Sequence, residues 1–198
     1  MKSEMLLASR AENFSNLLEC CEITEKNGPT LELEHGLKSV MQMLAHVRKS
    51  YNSVFIIGNG GSASVASHAA VDFTNVAKLN ALTLHESSLL TCMSNDYGYE
   101  NAFARILAPI AKPGDVLIAI SSSGSSKNIC NAAEQMVSSG GAVITLSGFN
   151  HDNPLRSMGE INVWLDSNDY GLVEIGHQFI LHNMSDRFGG GYMEESSS

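Results

Sequence analysis

The chain has 198 residues, of which 43% are apolar and 17% charged, and a formal net charge of −9. These proportions describe a folded chain rather than a disordered one, with one domain as the default and enough length for a sizeable core. The acidic balance argues against nonspecific nucleic-acid binding, which needs a basic face, but allows a local anion site built from backbone amides.

Residues 2–24 carry Met5, Leu6, Phe14, Leu17 and Leu18 at near-helical spacing, and Leu33, Leu37, Val40, Met41, Leu44 and Val47 mark a second helix over about 31–48. The turn signal Asn27-Gly28-Pro29 separates them. The pattern then alternates. Strands are expected at 53–57, 82–84, 115–120, 142–146 and 161–165. Between and after them, helices are expected at about 63–77, 87–94, 99–109, up to 139, and 170–187, with a turn at Asn95-Asp96-Tyr97-Gly98. Strand alternating with helix predicts an α/β fold: three layers, with a doubly wound, five-stranded parallel sheet behind N-terminal helices. The expected organisation is one domain over 1–198, with a helical preface over 1–48, an α/β core over 49–188 and a frayed tail over 189–198.

Cys20, Cys21, Cys92 and Cys130 fit no zinc spacing, and an adjacent pair makes a poor disulfide, so a reducing cytoplasm is expected. The first residues lack the apolar run of a signal peptide, and no stretch of about 18 apolar residues predicts a membrane span.

Two loops stand out, each between a strand and the start of a helix, where open α/β sheets bind ligands. In Gly58-Asn59-Gly60-Gly61-Ser62 the glycines allow a tight turn and a close backbone approach, and Ser62 and the first free amides suit an anion. In Ser121-Ser122-Ser123-Gly124-Ser125-Ser126, five hydroxyls are available to donate to phosphate oxygens. Either loop alone fits an ordinary turn with a helix cap; two after neighbouring strands point to anion binding. Neither is a P-loop or a dinucleotide fingerprint, because no Gly-Lys-Ser/Thr follows and the glycine spacing differs.

His68 and Asp72 share a helix face at i and i+4, and Glu174 and His182, eight residues apart, lie on roughly one side of the last helix. Two histidines and two carboxylates make a four-ligand divalent site if the helices converge; if they do not, each is an ordinary polar residue. His177 is the rival ligand, three residues after Glu174, but lies on a different face from His182. His35, His46, His85 and His151 have no partner at useful spacing and are read as structural or exposed.

The stretches Gly58-Asn59-Gly60-Gly61-Ser62-Ala63 with His68, Asn95-Asp96-Tyr97-Gly98-Tyr99-Glu100, Lys112-Pro113-Gly114-Asp115 and Ile120-Ser121-Ser122-Ser123-Gly124-Ser125-Ser126 resemble the sugar isomerase (SIS) domain family. Within it, the first loop with the Asn-Asp-Tyr-Gly-Tyr-Glu turn resembles the phosphoheptose isomerases. The resemblance runs from about residue 30 to 188. It implies a homotetramer with active sites between subunits, isomerising sedoheptulose 7-phosphate to a heptose 7-phosphate aldose for bacterial heptose synthesis. By position, Ser62, Ser121, Ser123 and Ser126 would hold phosphate, and Asn59, Gly60, Gly61, Asn95 and Asp96 would line the sugar, with Ser122 and Glu174 also counted as substrate-binding.

The resemblance also implies one zinc ion per subunit on His68, Asp72, Glu174 and His182. This sequence departs from the family at Asp72, where the family has Glu, and at Glu174, where it has Gln. Val76 stands where an Arg is usual, and Gly171 where an Asp is usual. An enediol mechanism needs a base over the carbons and an acid near the oxygens. Asp72, or Glu174, is the expected base and His182 the expected acid. Two alternatives follow from the same resemblance. One is a non-catalytic sugar-phosphate sensor, or a tetrameric adaptor of the kind that binds the replication initiator. The other is an isomerase of a different sugar phosphate.

Overall fold

The computed structural model describes residues 5–191. Residues 2–4 of the first expected helix and 192–198 of the expected tail lie outside the described residues.

In chain order the elements are α1 (Leu7–Glu19), β1 (Glu22–Glu25), β2 (Thr30–Leu31), α2 (Leu33–Lys49), β3 (Ser53–Ile57), α3 (Gly61–Asn75), β4 (Asn80–Thr83), α4 (Ser87–Tyr97), α5 (Ala102–Leu107), β5 (Val116–Ser121), α6 (Lys127–Ser138), β6 (Ala142–Ser147), β7 (Ile161–Trp164) and α7 (Tyr170–Gly189). Short 3-10 turns at Tyr99–Asn101 and Pro154–Ser157 complete the chain.

The expected parallel strands β3 to β7 lie in the order β7-β6-β5-β3-β4. Side chains alternate across this sheet as strand geometry requires. Val54, Ile56, Ile118, Ile120, Ile144 and Leu146 join one buried cluster with α2, α3 and α7, while Phe55, Ile57, Leu117, Ala119 and Val143 join a second with α5 and α6. The helices therefore cover both faces, giving the three layers.

Two local expectations are corrected. The helical preface is interrupted: α1 stops at Glu19, and β1 and β2 form an antiparallel hairpin that extends the sheet to seven strands. β1 pairs antiparallel with β7, Ile23 opposite Val163. Ile23 and Thr24 are β-branched and suit a pleated strand, and Ile23 is fully buried beneath α2, where a methyl on Gly36 would come within 2.7 Å of its side chain. The expected turn at 95–98 is instead the last turn of α4, which ends at Gly98 with φ +81°.

β3 sends its helix toward β4 on one side, and β5 sends its helix toward β6 on the other. Their carboxyl ends, paired at Ile57 and Ala119, frame the crevice where connections diverge. This is the ligand position of doubly wound sheets, and both expected loops open into it.

Candidate active site

Three glycines shape the first loop. A methyl at Gly58 would lie 2.5 Å from the Ser62 backbone, Gly60 has φ +53°, and Gly61 faces the Glu174 carboxylate. The turn places the first amides of α3 toward the crevice, where the helix dipole favours negative charge. Asn59 is fixed by reciprocal hydrogen bonds with Asn128 on α6: its Nδ2 donates to Asn128 Oδ1 at 2.9 Å, and its Oδ1 accepts from Asn128 Nδ2 at 2.8 Å. The Tyr99 hydroxyl also donates to Asn59 Oδ1 at 2.7 Å.

The serine loop is folded on itself. Ser121 Oγ donates to Ser126 Oγ at 3.2 Å, Ser125 Oγ donates to Ser123 Oγ at 3.1 Å, and Gly124, at φ +62°, closes the turn. Asn153 buttresses it from behind, and its carbonyl fills the space beside Gly124. Between the loops lies a cavity of about 140 Å³, lined by Asn59 and Ser62, by Ser121, Ser122, Ser123 and Ser126, and by Tyr170 and Glu174 of α7. Ser122 is 4% exposed, and its hydroxyl has no partner. A buried hydroxyl without a partner is costly, and here it belongs to the wall of a polar cavity at a helix amino-terminus.

α7 is aimed by its cap. Asp169 accepts from Leu172 N at 3.1 Å and is clamped by Arg10 of α1 at 2.5 Å. The guanidinium, then the backbone amides, hold the Asp169 carboxyl down to about 2.

α3 and α7 pack together and bring three expected ligands to one point. Asp72 Oδ2 accepts from His182 Nδ1 at 2.7 Å and lies 3.1 Å from His68 Nε2. One ligand atom from each of His68, Asp72 and His182 falls within 4.8 Å of the others, an arrangement able to hold a metal ion. The hydrogen bond to Asp72 raises the His182 imidazole above the usual histidine range, helped by the charges of Asp186 and Asp72 against slight burial. Both histidines are exposed, at 55% and 49% of their side chains, so this cluster opens to the surface.

The fourth expected ligand, Glu174, lies apart from this trio, at the serine-loop cavity. Asn95 and Asp96 sit exposed at the end of α4 and bond to each other at 2.9 Å rather than lining the cavity. His177 is fully buried; its Nε2 donates to Ser147 O at 3.1 Å, and burial pushes its pKa down to about 4. It is a core residue. His85, read as structural or exposed, is partly buried and stacks edge-on to Phe103 with centroids 5.7 Å apart. Asn128 and Tyr170 were not legible as site residues, although Tyr170 precedes Glu174 by one helical turn, which is a usable signal. Nothing in the sequence marks Asn128 as the partner of Asn59.

The SIS domain family model matches residues 28–148. A phosphoheptose isomerase from Citrifermentans bemidjiense is 33% identical over 161 residues, covering 78% of this chain and 83% of that one. The chain belongs to the phosphoheptose isomerase branch of the SIS domain family. A phosphoheptose isomerase from Campylobacter concisus is 35% identical over 156 residues, covering 75% of this chain and 82% of its own. The solved phosphoheptose isomerase from Neisseria gonorrhoeae shares the fold, with a TM-score of 0.81 and 24% identity over 96% of this chain and 100% of that one.

Proposed function

We propose that this chain is a ketose–aldose isomerase that interconverts sedoheptulose 7-phosphate and D-glycero-D-manno-heptose 7-phosphate through an enediol, within bacterial heptose synthesis. The observation that carries the reading is the layout along α7. Glu174 stands at the serine-loop cavity and His182 in the His–Asp–His cluster. Eight helical residues separate them, about 12 Å, a span suited to an extended seven-carbon sugar phosphate. Phosphate at the serines would place the first two carbons beside Asp72 and His182.

In this reading Ser62, Ser121, Ser122, Ser123, Ser126 and the α3 amides hold the phosphate. Asn59, kept in place by Asn128 and Tyr99, orients a sugar hydroxyl. Both histidines meet Asp72 at Oδ2, which leaves Oδ1 to move the carbon-bound proton. His182, held through Nδ1, presents its other ring nitrogen to a substrate oxygen as the acid. Glu174 is the second carboxylate available as base.

Zinc fits the donor set of two imidazoles and a carboxylate, with His68, Asp72 and His182 as its holders and Glu174 as a fourth ligand after rearrangement. When bound, it supplies positive charge that stabilises the enediolate.

The assembly we favour is a homotetramer of single-domain chains, with the site completed between subunits. Exposed Val71 on α3, Val76 just after it, and Ile175 and Phe179 on α7 support it, since they are apolar surface on the two helices of the site that a second copy would cover. No helix among the described residues is long and apolar enough to cross a membrane; a cytoplasmic site of action suits the phosphorylated substrate and the free thiols.

The decisive experiment is to incubate the protein with sedoheptulose 7-phosphate, with and without zinc and chelator, and follow the aldose by NMR. Turnover that chelation removes supports isomerase and metal together. Binding without turnover would overturn the enzyme in favour of a sugar-phosphate sensor or adaptor. Asp72→Asn and His182→Ala should each lower turnover by about 10²–10⁴-fold with the fold intact.

A further inference from the structure

The serine-loop cavity contains a negative group of its own. Glu174 reaches across from α7 to the first turn of α3, where Oε1, Oε2 and Cδ of its carboxylate are the atoms nearest to a methyl built on Gly61. It shares the cavity wall with Ser62, Ser122 and Ser126. A helix amino-terminus attracts an anion, and the anion standing at this one is a side chain of the protein. One turn further along α7, on the same face, is Gln178. Its Nε2 is buried and has no partner, a donor left over in a region where buried donors are normally satisfied. Glutamate and glutamine at i and i+4 are within side-chain reach on a helix.

We propose that Glu174 is a built-in competitor for the substrate's phosphate: phosphate binds as the carboxylate leaves the amino-terminus of α3, and Gln178 Nε2 receives the displaced carboxylate. The proposal deepens the reading of the serine loop as a phosphate site and rests on it. Phosphate and carboxylate confined to one cavity of about 140 Å³ repel strongly. At a separation of about 5 Å, Coulomb's law at dielectric values between bulk water and the protein surface makes the penalty on the order of tenfold in affinity. The same movement carries the carboxylate along α7 toward His182, so arrival of the phosphate would bring Glu174 to the end of the site where the carbons react. A sugar without phosphate would leave Glu174 on α3.

The test is calorimetric titration of inorganic phosphate, at fixed ionic strength, into the wild-type chain, Glu174→Gln, Gln178→Leu and the double variant, each checked by circular dichroism for folding. The expected results are phosphate binding about tenfold tighter in Glu174→Gln and several-fold weaker in Gln178→Leu, with the Gln178 effect vanishing in the Glu174→Gln background, which is the coupling a double-mutant cycle detects. Equal or weaker binding by Glu174→Gln would overturn the competitor. An unchanged Gln178 effect in the double variant would overturn the receiving role. Failure of phosphate to bind any of the four proteins would refute the serine loop as a phosphate site and the proposal with it.

Discussion

Replacing Gly124 by alanine should damage the serine loop from within. Gly124 has φ +62°, and an L-residue there costs roughly 1–2 kcal/mol. The added methyl would also overlap the carbonyl of Asn153, which is 5% exposed. Asn153 is not free to yield: its Nδ2 donates to Ser147 Oγ at 3.2 Å, Gly148 O at 3.2 Å and Asn150 O at 2.9 Å, and its Oδ1 accepts from Arg156 N at 3.0 Å. Displacing this buried amide costs a further 1–3 kcal/mol or so, for a total of about 2–5 kcal/mol. Urea denaturation should show a lower midpoint at unchanged slope. The same shift moves Ser121, whose carbonyl accepts from Gly124 N at 2.9 Å, and with it the hydroxyl cluster. Turnover of sedoheptulose 7-phosphate should then fall by about a hundredfold, the cost expected of a 1 Å misplacement. A Gly124→Ala protein with wild-type urea midpoint and wild-type turnover would refute the assignment of strain and support to this turn.

Three further outcomes are expected. The His182 ring should titrate above 6.5 in proton NMR and return toward that value in Asp72→Asn, because the hydrogen bond to Asp72 is the largest cause of the shift; an unmoved midpoint would sever the pair. His177, depressed to about 4 by burial, takes up its proton more readily when unfolded, so stability should hold above pH 6.5 and be lost as pH falls toward 4, on the order of 3 kcal/mol in all. Urea titrations should show this component disappearing in a folded His177→Leu variant. Asn128→Ala should leave the Asn59 side chain held by Tyr99 alone and weaken substrate binding, with stability lowered by about 1 kcal/mol, measured by KM and urea midpoint together.

The alternation of apolar strands with helical periods was enough to reveal the parallel core, since a period of two and a period of 3.6 are written directly in residue order. Gly58 to Ser62 and Ser121 to Ser126 were legible for the same reason: a tight turn before a helix is a local event governed by backbone freedom and capping. His68 and Asp72 shared a face by arithmetic alone, as did Glu174 and His182. What tertiary structure decided was which faces meet. It placed His182 on Asp72, kept Glu174 at the serine-loop cavity instead of with the trio, joined Asn59 to Asn128 sixty-nine residues away, and set Asn153 behind Gly124. It also took Ile23 out of the expected helix and into β1, where it lies opposite Val163 of β7 and is fully buried, a position that suits a β-branched side chain. Local periodicity sets the direction each side chain takes from its own element. The distance between two side chains on different elements is set by packing, which no single stretch of sequence contains.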